Sequence, residues 1–194
     1  MLLPRERAGL LVAVLTASFS AHCASTQNPT PAPTPPANRT EATCPSDIPT
    51  PEGLRPIEDT ALHDSVIGAA GAGKLCAART FEVVGTVRVY RVWNSAQAYT
   101  ANGRWWSLEA PHGTREEYRA AYAICPEWSA LDRVTACDLR VGTHVAFGPG
   151  QSATCQNNVS YPVSRALQVY VPNDTRANPP QLFVENCTDG APWP

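Results

Sequence analysis

Apolar and polar residues alternate most regularly over Phe81 to Trp93, a valine-rich run with aromatic ends that predicts a β-strand. With a side-chain period of two, Val83, Val87, Val89, Arg91 and Trp93 share one face, and Val84, Thr86, Arg88 and Tyr90 share the other. Arg91 thus stands at the end of an apolar stripe, where a guanidinium must find a partner or line a cleft, because burying it alone is costly. Arg104 to Glu109 predicts a second strand. The run from Thr114 to Cys125 predicts a helix with Thr114 as N-cap and Glu116 and Glu117 in its first turn, its Tyr118, Ala121, Tyr122 and Cys125 turned to the core. Ile57 to Arg79 reads as a helix broken around Gly68, Gly71 and Gly73. Val134 to Val141, His144 to Phe147, Arg165 to Val171 and Gln181 to Val184 read as short strands, with turns at Gly142, Gly148-Pro149-Gly150 and Pro172-Asn173-Asp174. The expected class is α+β, with few helices.

The N-terminus is an address. Arg5 and Arg7 precede an apolar stretch, Leu10 to Ala21, that is too short to span a bilayer, so residues 1–22 read as an export signal. Two processing readings stand: cleavage at the small residues Ser18-Phe19-Ser20, or lipidation of Cys23 after Ser20-Ala21-His22. Residues 23–43 are rich in Pro and Thr and form a tether able to hold a domain up to roughly 60 Å from its anchor. Residues 44–194 are then one globular domain, long enough to bury roughly 70% of its unfolded surface.

Seven cysteines among 194 residues fit an oxidising compartment. With Cys23 reserved for a lipid, Cys44, Cys76, Cys125, Cys137, Cys155 and Cys187 leave an even six for disulfides, with fifteen connectivities open. Asn38, Asn158, Asn173 and Asn186 each open an Asn-x-Ser/Thr triplet, a glycan acceptor only in a eukaryotic host. A formal charge of -2 without a basic run excludes an electrostatic footprint for nucleic acid, so the expected partners are small molecules, a dinucleotide first, or proteins, and membrane attachment rests on Cys23 alone. Which protein would bind is not indicated.

Little chemistry survives a motif search. Gly68 to Lys74 has P-loop spacing, but Leu75 stands where a Ser or Thr would hold magnesium. His63, His112 and His144 are isolated and no two cysteines have zinc-ribbon spacing, so neither a metal nor a prosthetic group is expected. What remains is Arg88-Val-Tyr-Arg91-Val-Trp93 followed by Gly103-Arg104-Trp105-Trp106-Ser107. Guanidinium forks bind phosphate and indole faces stack on heteroaromatic rings, which outlines a dinucleotide pocket; the plain alternative is an arginine–aromatic packing cluster.

"VYRVW" and "NGRWWS" resemble blocks of RES-domain NAD-degrading toxins. "GRWWSLEAPHGTREEYRAAYAI", "VGTHVAFGPGQ" and "LQVYV" resemble, in order, blocks of the tuberculosis necrotizing toxin family of NAD glycohydrolases. The resemblance spans Val87 to Val171 and implies an ADP-ribosyltransferase-like split β-sheet core with NAD as substrate. It implies Arg91 and Arg104 on the diphosphate, Trp105 and Trp106 as aromatic walls, Ser107 beside the nicotinamide, and Gln168 in the catalytic position. The glycine-rich run before that glutamine is absent here, and Gly148-Pro149-Gly150-Gln151 lies upstream. His112 and Glu185 are further candidates for the missing acid–base groups. The competing expectation is a surface-attached binding module without catalysis. Its marks would be Arg104, Trp105 and Trp106 on a flat outer face and Arg91 paired to a carboxylate such as Asp132.

Overall fold

The computed structural model describes residues 43–194; the export signal and the tether up to residue 42, Cys23 and Asn38 included, lie outside the described residues. In chain order the elements are β1 (Leu54–Ile57), α1 (Thr60–Val66), β2 (Arg79–Val83), β3 (Arg88–Trp93), β4 (Trp105–Trp106), α2 (Arg115–Tyr122), β5 (Arg133–Leu139), β6 (His144–Pro149), β7 (Ala153–Thr154), β8 (Ser160–Tyr161), β9 (Leu167–Tyr170), β10 (Val184–Glu185) and β11 (Ala191–Pro192). Every strand pair is antiparallel. One sheet runs β1-β2-β6-β9-β4; in the other, β5 pairs with β3 along one edge and with β10 and β11 along the other. A single bridge joins the two, Tyr90 and Ser107 exchanging N–H···O bonds of 2.8 Å. This is a small, disulfide-braced α+β domain.

The long strand expected over Phe81 to Trp93 is two strands. After Val83 the chain turns around Gly85, with the Val84 N–H on the Gly53 carbonyl at 2.8 Å, so β2 stays in the first sheet while β3 enters the second. The valine alternation ran across the turn because one glycine in an apolar run is a weak stop. β3 therefore lies between two cores: Val89 packs in the main cluster with Phe81, Trp106, Val145 and Val169, and Val92 packs with Tyr118 and Leu131.

The helices follow their caps. Thr114 and Glu117 form a capping box, and α2 ends at Ala123 in the left-handed region (φ 50°). α1 stops at Val66, well short of the expected Arg79, and residues 68–78 are loop, because three glycines at about 1 kcal/mol each outweigh the neighbouring alanines. Gly148 and Pro149, expected in a turn, lie inside β6, where an added Cβ on Gly148 would sit 2.0 Å from the Ala77 carbonyl oxygen. The loop crosses β6 at that bare position.

The cysteines pair as Cys44–Cys76, Cys125–Cys155 and Cys137–Cys187, closing loops of 32, 30 and 50 residues. Disulfides of this kind are typical of extracytoplasmic proteins. No described helix is long and apolar enough to cross a membrane. Of the described Asn-x-Ser/Thr triplets, Asn158 and Asn186 are exposed and Asn173 is buried, 1% exposed, with its side chain fully committed to backbone partners.

Candidate functional site

Arg91 is set by its strand and by a glycine. β3 carries its side chain inward, where Nε donates to the Thr100 carbonyl and a terminal nitrogen to the Trp105 carbonyl, both at 2.6 Å. A Cβ on Gly103 would lie 2.5 Å from the guanidinium, so a larger residue there would displace it. No carboxylate lies within 4.0 Å of it among the described residues. Burial with no counter-charge lowers its pKa to about 10. Asp132 is elsewhere, accepting from the Ser95 N–H at 2.8 Å.

Gln168 is set in the same way from β9. It is 8% exposed, its Nε2 faces the Tyr122 carbonyl at 3.4 Å, and a Cβ on Gly150 would come within 2.6 Å of that amide. Arg91 and Gln168 meet in one cleft of about 390 Å³, walled by Trp105, Tyr122 and Trp128 and bordered by Lys74. Trp105 stands edge-on to Tyr170, ring centres 5.1 Å apart, and Trp128 is 48% exposed at the rim. Three non-glycine residues of this lining have positive φ: Lys74 (67°), Ala123 (50°) and Leu131 (53°). Backbone of that kind costs on the order of 1–3 kcal/mol per residue, and its gathering around one cleft marks that cleft as a candidate site. Lys74 turns its ammonium to the Ser65 carbonyl at 3.0 Å, outside the lining, so the cleft offers one guanidinium, three aromatic rings and an amide, without an acid, which suit a ligand with a flat ring and a negative group.

Of the six residues singled out from sequence, the fold brings Arg91, Trp105 and Gln168 together. Arg104 lines a neighbouring basin that shares Arg91 with the cleft. Trp106 is 2% exposed in the main core with its indole N–H on the Gly103 carbonyl at 2.8 Å, so it offers no face to a ligand. Ser107 is 1% exposed, its hydroxyl donating to the Glu109 carbonyl at 2.7 Å, and it is not part of the cleft lining. The flat arginine–tryptophan face and the Arg91–Asp132 pair are both missing from the described structure. His112 borders a separate cavity of about 520 Å³ with Glu109, Glu117 and Tyr118; Glu117 is held in the capping box, where the Thr114 N–H and hydroxyl keep its pKa low. Glu185 pairs with Arg140 at 3.4 Å on the surface.

Lys74, Tyr122 and Trp128 were not foreseen. Lys74 closes the glycine-rich run that resembled a P-loop, and Tyr122 lay on the face of α2 assigned to the core, where burial does raise its hydroxyl pKa. Trp128 carried no sequence signal. Among the described residues Cys125, Glu127 and Cys155 bring three metal-ligating side chains together, but the two sulfurs are bonded to each other, leaving no thiolate. No protein-family model, curated protein or solved structure matches the chain.

Proposed function

We propose that the domain binds NAD in the cleft and cleaves its nicotinamide N-glycosidic bond. What supports the reading is one observation: Arg91, Trp105 and Gln168, drawn from three strands, line a single strained cleft. Arg91 supplies the positive charge for the diphosphate, and Trp105, Tyr122 and Trp128 supply aromatic walls for a base or nicotinamide ring. Nicotinamide in NAD already carries the positive charge of a good leaving group. The C1′–N bond breaks with its electron pair going to nicotinamide, water adds to the oxocarbenium-like C1′, and a proton goes to solvent, giving ADP-ribose. Gln168 holds its Nε2 toward the Tyr122 carbonyl, so its oxygen is the group that orients the ribose or the water.

A second reading, binding without turnover, is favoured by the absence of any carboxylate from the described cleft lining and by the sealed position of Ser107. Incubating the purified, oxidised domain with NAD, following nicotinamide and ADP-ribose by chromatography, and measuring binding by equilibrium dialysis separates them. Turnover carries the first reading and saturable binding alone carries the second. Neither, with the disulfides intact, overturns both.

The reading includes export by residues 1–22, with Cys23 as the lipid attachment. Only a lipidated chain partitions into detergent and loses that behaviour on Cys23→Ala; a mature N-terminus at Ala21 would end the lipid half.

A further inference from the structure

Arg91 has a second side. Its guanidinium also lines a separate basin of about 270 Å³, walled by the 3₁₀ turn Ala98–Asn102, by Arg104, and by the loop from Asn173 to Arg176. Three guanidiniums, Arg91, Arg104 and Arg176, face this space, and among the described residues none is within 4.0 Å of a carboxylate oxygen. The one acid in the lining, Asp174, turns Oδ1 to the backbone N–H groups of Arg176 (3.0 Å) and Ala177 (3.2 Å) and so folds the loop instead of neutralising a cation.

The basin is rigidly built. Buried Asn173 donates through Nδ2 to the carbonyls of Asn102 (3.0 Å) and Gly103 (3.1 Å) and accepts the Phe183 N–H on Oδ1 at 2.7 Å. Its own carbonyl takes Arg104 Nε at 2.9 Å, which leaves both terminal amino groups of Arg104 without a protein partner among the described residues. Arg176 lies over the Tyr99 ring, 5.3 Å from its centre, an arrangement that uses none of its N–H donors.

Like charges gathered around one hollow repel, and a multiply charged anion between them reverses the sign of the interaction. A carboxylate satisfies one guanidinium fork, whereas a tetrahedral phosphoryl group offers oxygens to several. We propose that this basin is a binding site for a phosphoryl group, separate from the cleft but sharing Arg91 with it. The site goes beyond the proposed function and does not depend on it. Its phosphoryl group has two sources, a free phosphate or phosphomonoester, or a distal phosphate of a ligand lying in the cleft.

Inorganic phosphate is the probe, titrated into the oxidised protein at constant ionic strength and followed by calorimetry, against the double variant Arg104→Ala/Arg176→Ala. Both side chains are exposed, and near-ultraviolet circular dichroism checks that the variant keeps its fold after losing the Arg104 bond to the Asn173 carbonyl. The expected result is saturable binding, weakened at least tenfold in the variant. Repeating the titration with NAD present separates the sources: competition assigns the basin to the cleft ligand, and joint binding assigns it to free phosphate. Absence of saturable binding, or identical titrations of the two proteins, overturns the site whether or not NAD binds.

Discussion

Replacing Arg91 by methionine, of similar length and without charge, separates its part in stability from its part in binding. Lowering the guanidinium from its ordinary 12.5 to about 10 corresponds to about 3 kcal/mol lost by desolvation. Against this stand two short bonds to the carbonyls of Thr100 and Trp105, each worth about 1.5–3 kcal/mol for a charged donor. The difference is about 0–3 kcal/mol, so the half-buried arginine in this position stabilises the fold by no more than that. Thr100 keeps a second donor, the Gly103 N–H at 3.1 Å, which softens the loss further. Arg91→Met is therefore expected to lower the unfolding free energy by no more than about 3 kcal/mol, a fall in Tm of at most about 12 °C for a domain of this size. The same change removes charge from both the cleft and the basin, and NAD and phosphate are each expected to bind at least tenfold more weakly. Thermal and urea unfolding give the first quantity and equilibrium dialysis the second. A variant with native near-ultraviolet dichroism and ligand affinities within twofold of the parent would refute the assignment, as would a loss of more than about 5 kcal/mol with binding intact.

Three further outcomes are expected. Gln168→Ala should reduce NAD turnover by about 100-fold or more and leave NAD affinity within a few-fold, read from kcat and from dialysis; an unchanged kcat removes Gln168 from the chemistry. Replacing Cys125 and Cys155 together by serine should lower stability by about 3–4 kcal/mol through the opened 30-residue loop, and an unshifted urea midpoint would contradict this. Acid should destabilise the domain: Asp59, Glu117, Asp132 and Asp138 are all held below their ordinary pKa values by hydrogen bonds, so their contribution is complete above about pH 5 and is lost as pH falls below about 4. Asp138→Asn, which removes the partner of Arg88 and Asn186, should flatten that slope; a Tm–pH curve superimposable on the parent's would speak against it.

Local signals were legible wherever a side chain announces its own backbone. Thr114 and Glu117 mark the start of α2 because a capping box is a contact between near neighbours. Arg91 was legible as an inward-facing cation, because a charge in a valine stripe contradicts its surroundings. What lay outside the sequence is what depends on distant partners. The turn at Gly85 follows from Gly53, more than thirty residues away, and the burial of Trp106 and Ser107 follows from two sheets meeting at one bridge. Trp105 and Trp106 are adjacent and chemically identical, yet one lines the cleft and the other fills the core, a difference of strand parity that a two-residue strand does not display. Gly150 read as an ordinary turn glycine, and nothing in the sequence tied it to Gln168 or Gly103 to Arg91, which lie against them in the fold.

The disulfide between Cys125 and Cys155 ties down the segment after α2 that supplies Ala123, Ile124 and Trp128 to the cleft wall. That latch can close only where thiols are oxidised. On the proposed reading, a protein that destroys NAD would be synthesised beside its maker's entire NAD pool. With that bond open in a reducing cytosol, this stretch of the cleft wall would be less firmly held than in the exported, oxidised chain.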